Sequence, residues 1–194
     1  MTLFYPLAFH LPDELRHPKF YLRPLRVADA VLDYDAVMAN RAALLVYSLR
    51  RWPHEHFTLD ENRVDLQRHE QEHLARERFT FTVLTPDATQ CLGCVYIKST
   101  NSFLERSSVS IPQAHPLAAR VTFWLRPECV AADLDAELLV SLRGWFRDEW
   151  ALDQITFMAN ENETRRLELF QRAGLALQYS LSFSSTPVAF YLYG

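Results

Sequence analysis

Glycine is scarce in this chain of 194 residues. Gly93, Gly144, Gly174 and Gly194 are all there is, where average usage of roughly 7% would give about 14. No G-x-G-x-x-G and no G-x-x-x-x-G-K occurs, which excludes the ordinary dinucleotide-binding fingerprint and the P-loop, both of which bring backbone amides close to phosphates. Three cysteines, Cys91, Cys94 and Cys129, cannot build a disulfide framework and fit a reducing compartment. No apolar run approaches the roughly 18 residues of a membrane span, and the first 15 residues hold no Lys or Arg ahead of their short apolar stretch. Positive charge is not in excess, with 20 Lys+Arg against 24 Asp+Glu, so nucleic acid is not an expected partner. A cytoplasmic protein, bound neither to membrane nor to nucleic acid, is the expectation.

What is abundant is core. Hydrophobic residues make up 49% of the chain, enough for one full domain. Residues 1–19, with Pro6, Pro12 and Pro18, read as an irregular extension packed on the body through Phe4, Tyr5, Leu7 and Phe9. Residues 20–194 read as the domain itself. A short strand at 20–24 leads into helical patterns over residues 29–38 and 41–50. Thr58-Leu59-Asp60-Glu61 is a capping box opening a helix to about residue 78. Strands at 79–84 and 91–98 form a hairpin, and a long loop covers 99–118. Then come a strand at 119–125, an amphipathic helix at 135–150, a buried strand at 154–159 and a helix at 163–173 closed by Gly174. Two strands, 175–183 and 188–193, end the chain. The order describes an α/β or α+β domain.

Two local motifs invite chemistry and are read as structure. Cys91 and Cys94 form a C-x-x-C, but within a strand residues three apart point to opposite faces. His69-Glu70-Gln71-Glu72-His73 matches H-E-x-x-H, yet Asp65, Gln67, Arg68, Arg76 and Glu77 around it have the composition of a solvated, charge-paired helix face, so no metal is expected.

The stretch from 121 to 175 is more specific. It holds Phe123-Trp124-Leu125-Arg126-Pro127-Glu128, then Val130-Ala131-Ala132-Asp133-Leu134-Asp135-Ala136-Glu137-Leu138-Leu139. After a strand come Asn160-Glu161-Asn162 and, last, Leu169-Phe170-Gln171-Arg172-Ala173-Gly174-Leu175. This succession resembles the GNAT superfamily of N-acetyltransferases, in particular the branch that acetylates ribosomal-protein N-termini.

The resemblance implies a mixed, mostly antiparallel sheet flanked by helices, in which the strands at 119–125 and 155–159 splay apart to admit the pantetheine arm of acetyl-CoA. It implies acetyl transfer to a primary amine of a small molecule or a protein N-terminus. Backbone at Trp124, Leu125 and Arg126 would hold pantetheine, and residues Ala131, Ala132, Asp133, Leu134 and Asp135 would face the pyrophosphate at a helix N-terminus. Asn162 would fix the cofactor arm, and Phe170 takes the place of a tyrosine that serves related enzymes as acid.

The chain also departs from the pattern. The loop's two glycines are replaced by Ala131 and Asp133, and two carboxylates, Asp133 and Asp135, stand where a diphosphate is expected; either could instead be an N-cap. The alternative reading is therefore a GNAT-like binding or regulatory protein that has lost the chemistry. Glu105 and Tyr96, with His54 and Glu55, are catalytic candidates by location alone. The aromatic terminal segment, Tyr179, Phe183, Phe190, Tyr191 and Tyr193, fits either the core or a homodimer interface.

Overall fold

The computed structural model of the chain describes residues 3–105 and 115–194. They build one eight-stranded sheet flanked by helices. In chain order the strands are β1 (Leu15–His17), β2 (Phe20–Pro24), β3 (Phe79–Leu84), β4 (Cys91–Ser99), β5 (Ala118–Leu125), β6 (Gln154–Asn160), β7 (Leu177–Phe183) and β8 (Thr186–Tyr193). The helices are α1 (Ala30–Ala39), α2 (Arg41–Tyr47), α3 (Leu59–Leu74), α4 (Asn101–Leu104), α5 (Pro127–Ala131), α6 (Leu134–Glu149) and α7 (Thr164–Arg172). The strand order is β1-β2-β3-β4-β5-β6-β8-β7, and every neighbouring pair is antiparallel except β5 with β6.

The two faces of the sheet differ in chemistry because strand side chains alternate. Phe81, Val95, Val121 and Phe123 point to the face covered by α6, where Leu138, Leu142, Trp145 and Phe146 close the main core. The amphipathic stripe of α6 thus finds the partner its spacing demands. The opposite face, under α1, α2 and α3, carries Thr80, Thr82, Cys94, Tyr96, Lys98, Arg120, Thr122 and Trp124, and is far more polar. Trp124 and Cys94 pack there with Ala36, Val37 and Leu44.

Several sequence expectations change. The leader is not wholly irregular, since Leu15–His17 pairs with β2 as an edge strand. Phe4 and Tyr5 are buried in the main core, whereas Leu7 and Phe9 are exposed. The middle of the expected loop, residues 106–114, lies outside the described residues; its start folds as α4. The terminal aromatics turn inward: Tyr179, Phe183 and Phe190 join a small cluster with Phe103, Leu104 and Leu192, and Tyr193 reaches the main core.

The cysteine pair is a further correction. The β3–β4 register shifts between Val83, opposite Gly93, and Leu84, opposite Cys91. One extra residue on β4 reverses the alternation, so Cys91 and Cys94 fall on the same face beside Leu84 and Trp124. The histidine motif is corrected as well. His69 and His73 are buried, not solvated. The His69 Nδ1 lies 3.0 Å from Thr80 Oγ1, and the His73 ring meets Phe79 and Phe81 edge-on at 5.1 and 5.2 Å. His73 is a core imidazole, and His69 is buried at the edge of a charged cluster in which Glu72 pairs with Arg68 and Arg78.

Gly93 is required by close approach. A Cβ built there would lie 1.9 Å from the Trp124 carbonyl oxygen and 2.9 Å from the Leu125 Cα, both backbone atoms that cannot swing aside. Gly93→Ala should cost about 3 kcal/mol or more, as overpacking against fixed atoms does, read as a lowered urea midpoint.

Acid should also destabilise the fold. Burial pulls His73 down to about 4, and burial with the neighbouring Arg68 does the same to His69. An unfolded imidazole takes up its proton near its usual 6.5, so the unfolded state binds more protons between 6.5 and about 4 and stability falls across that window. Burial raises the carboxyl of Asp33, on α1, to about 6; its sign is opposite, since the folded form binds the extra proton. Two imidazoles outweigh one carboxyl. The urea midpoint should therefore drop as pH is lowered toward about 4, and His73→Leu should flatten that slope.

Candidate active site

Strands β5 and β6 pair only from Ala118 with Gln154 to Val121 with Phe157. Beyond that point β5 stays with β4 up to Leu125 opposite Gly93, while β6 stays with β8 up to Asn160 opposite Phe190. The two strands part, and residues 122–125 face residues 158–160 across a gap. A cleft of about 450 Å³ opens there, within the range of ligand pockets. Its walls come from the β5 end (Phe123, Trp124, Leu125), the α2 side (Leu44, Tyr47) and the start of α7 (Arg165, Arg166).

Buried polar groups shape this cleft. The Asn40 amide, between α1 and α2, donates to the Leu125 carbonyl at 3.0 Å. Asn160, at the end of β6, donates to the carbonyls of Val46 and Tyr47 at 3.2 and 3.3 Å and so ties α2 to the far wall. The Tyr47 hydroxyl sits 2.9 Å from Thr122 Oγ1, on the first β5 residue past the pairing with β6. Tyr47 stacks on Tyr96, whose hydroxyl accepts the Trp124 indole N–H at 3.1 Å. Burial raises the Tyr47 phenol above its ordinary value, which keeps it protonated at neutral pH.

At the other end of the cleft, α5 and α6 meet at Asp133. This residue has φ 54°, the left-handed conformation that glycine adopts freely and aspartate tolerates better than most. Asp133 does occupy the N-cap position of α6, as the alternative had it, but its carboxylate makes no capping hydrogen bond. Instead Arg165 reaches from α7: its Nη2 donates to the Val130 carbonyl at 2.6 Å, to Asp133 Oδ1 at 3.1 Å and to Asp135 Oδ1 at 3.4 Å. The amides of Leu134 and Asp135 stand in the first turn of α6, where a helix offers donors without intrahelical acceptors.

The residues expected around a cofactor divide. Trp124, Leu125, Ala131, Asp135 and Asn162 line the cleft. Asp133 is joined to it through Arg165. Ala132 is exposed, and the Leu134 side chain belongs to the main core. Arg126 does not face the cleft: its amide donates to the Leu92 carbonyl at 2.7 Å, its Nε to the Cys91 carbonyl at 2.6 Å, and its guanidinium pairs with Asp35. Phe170 is fully buried between Phe157 and Tyr193 in the main core and does not reach the cleft.

Of the catalytic candidates, Tyr96 lies beside Tyr47 behind the cleft wall. Glu105 is exposed at the end of α4, in a separate polar cavity. His54 pairs with Glu61 on the surface and Glu55 is exposed. Asn40, Tyr47, Asn160, Arg165 and Arg166 were not singled out by sequence. For Asn160 the N-E-N run is the signal, two residues before Asn162, which lines the cleft; for the others no local motif exists.

A parallel strand pair that opens into a cleft beside a helix N-terminus, within this strand order, is the fold of the GNAT acetyltransferases. The chain is similar to the ribosomal-protein-S5-alanine acetyltransferase from Vibrio fischeri, with 15% identity, 94% of this chain and 95% of that chain covered, and a TM-score of 0.69. It is similar to a RimL ribosomal L7/L12 alpha-N-protein acetyltransferase in complex with coenzyme A, at 13% identity over 93% and 97% of the two chains, with a TM-score of 0.70. It is also similar to the microcin C7 self immunity acetyltransferase MccE in complex with acetyl-CoA and AMP, at 11% identity, 91% and 92% coverage and a TM-score of 0.70. No protein-family model and no curated protein matches the sequence. Among the described residues no helix is long and apolar enough to cross a membrane, and no group of three or more His, Cys, Asp or Glu is arranged to hold a metal ion.

The left-handed Asp133 gives a direct test of the loop. Asp133→Gly should remain within about 0.5 kcal/mol of the parent, since relief of strain offsets the lost ion pair. Asp133→Ala should lose about 1 kcal/mol, because alanine keeps the strain without the side-chain partner. Urea denaturation of both variants checks this.

Proposed function

We propose that the protein is an acetyl-CoA-dependent N-acetyltransferase acting on a primary amine. The observation that carries this reading is the parting of β5 from β6 after Val121 and Phe157, which leaves strand edges facing a cleft of about 450 Å³. The residues present fit the cofactor. An extended amide-bearing arm matches an unpaired strand edge by the logic of strand addition, and the α6 N-terminus offers amides to a pyrophosphate.

The carboxylates of Asp133 and Asp135 oppose that anion, but Arg165 stands between them and cancels part of their field. When bound, acetyl-CoA would supply the acetyl group as a thioester. Trp124 and Leu125, at the cleft end of β5, would lie along its path, with Ala131 and Asn162 bounding it. Tyr47 holds a proton on its phenol oxygen at the vertex of the strands, where an acid is needed to protonate a departing thiolate. Burial keeps that proton on the phenol oxygen at neutral pH, so the group enters as the protonated form and not as a base. Phe170, buried and apolar, cannot take that role; Tyr47 approaches the same vertex from the opposite side of the sheet.

Isothermal calorimetry should show saturable binding of acetyl-CoA, and incubation with a panel of amines should release free CoA. Tyr47→Phe should keep the affinity for acetyl-CoA within about threefold while lowering kcat by about a hundredfold, the usual range for a lost general acid. Absence of acetyl-CoA binding at millimolar concentration would overturn the reading. Tight binding with no turnover on any amine would favour the second reading, a binding module on the same fold, for which the carboxylates beside the α6 N-terminus are the motivating observation.

A further inference from the structure

A second cavity, of about 710 Å³, lies on the polar face of the sheet at the Ser99 end of β4. Lys98, Arg78, Arg120, Glu77 and Glu105 are in its wall. Lys98 and Arg120 are cross-strand partners, and the next rung on the same face is Tyr96 with Thr122. Rungs on one face are two residues apart, about 7 Å, so this cavity begins one rung from the Thr122 hydroxyl that holds Tyr47. The two hollows flank the vertex at which β5 and β6 part.

The charge at Lys98 is unmatched. Among the described residues its ammonium forms no ion pair; its neighbour is the Tyr96 ring, 5.4 Å from Nζ to centroid. Arg120, Arg78 and Arg68 act on it unfavourably, and Glu72, which also lines the cavity, attracts it. That carboxylate is already engaged by Arg68 at 3.2 Å and by Arg78 at 3.1 Å. Burial, with the guanidiniums next, lowers the Lys98 pKa to about 8. An ammonium drawn even half out of water is ordinarily paired or hydrogen-bonded, and Lys98 is half-buried. Here it borders a polar cavity large enough for a small molecule, and what its position lacks is an anion.

We propose that this cavity is the acceptor pocket and that it selects small amines carrying a carboxylate or a phosphate, whose anionic end meets Lys98 while the amine points to the Tyr96–Thr122 rung. The anion site stands on the geometry of Lys98; its role as acceptor pocket rests on the transferase reading above.

Two experiments separate these. Succinate and inorganic phosphate are titrated into the protein by calorimetry. At least one should bind saturably, Lys98→Met should weaken it by roughly tenfold or more, and Lys98→Arg should retain it. Which of the two binds identifies the anion as carboxylate or phosphate. Failure of both to bind, or binding unchanged in Lys98→Met while that variant keeps its acetyl-CoA affinity, would overturn the anion site.

In the second experiment acetylation is compared within pairs, L-alanine against L-alaninamide and O-phosphoethanolamine against ethanolamine. The charged member of at least one pair should be preferred, with the preference in KM and abolished in Lys98→Met. Equal or better use of the neutral members overturns the acceptor assignment. Lys98-dependent anion binding with no acetylation of any amine overturns the transferase reading and the acceptor role together, and leaves the anion site established.

Discussion

The contact on which the site depends is the approach of the β5 backbone to Gly93. With no Cβ on that residue, the Trp124 carbonyl settles against β4, and the end of β5 is held to β4 by pairing up to Leu125. β6 meanwhile follows β8, whose register carries it to Asn160. Strand β5 cannot follow both neighbours, so the parallel ladder ends at Val121. Buried backbone groups left without a ladder are costly, and the structure meets part of that cost locally: Asn40 takes the Leu125 carbonyl. The edge that remains is a template for an extended ligand.

The second constraint is electrostatic. A helix N-terminus attracts anions because its first amides are unpaired and its dipole is positive there. Placing Asp133 and Asp135 at the start of α6 uses that attraction internally, and Arg165 then bridges both carboxylates to the Val130 carbonyl. Arg165 is half-exposed, so the ion pairs themselves contribute little to stability. Their effect is on the field: one cation offsets part of two anions at the first turn of α6. A loop with glycines presents bare amides to a phosphate, whereas this one presents amides beside a guanidinium held by carboxylates. The same fold position is reached by different chemistry, with Asp133 keeping the left-handed backbone that glycine would have supplied.

Much of the architecture was legible because it follows from short-range rules. The Thr58 capping box does open α3, with Thr58 accepting from the Glu61 amide. Alternation at residues 79–84 gives β3, and Gly174 ends its helix with φ 72°. What was not legible depends on contacts distant in sequence. The composition of α3 says solvated helix, and only its packing on β3 shows that His69 and His73 form the inward stripe. Alternation separates Cys91 from Cys94 until a bulge, undetectable in periodicity, reunites them. Phe170 and Arg126 stand at motif positions, yet the first is drawn into the core by its apolar ring and the second is consumed by Asp35 and Cys91. Tyr47, Arg165 and Lys98 carry no local signature, because their significance lies entirely in what other segments bring beside them.

The asymmetry between the faces explains where chemistry can occur. Under α6 the sheet is packed with aromatic and aliphatic side chains that leave no room and no polarity. Under α1, α2 and α3 it carries hydroxyls, thiols and cations, and these must be satisfied by one another or by something else. Tyr47 with Thr122 and Trp124 with Tyr96 are satisfied within the protein. Lys98 is not, and it lies one rung from the vertex at which the strands part. A half-buried charge without an ion pair is the kind of local conflict that functional sites carry. On the proposed reading, the location of that charge, on the far side of the vertex from the cleft, would orient a two-substrate site, with a donor along the parted strands, an acceptor over the polar face and the Tyr47 phenol between them.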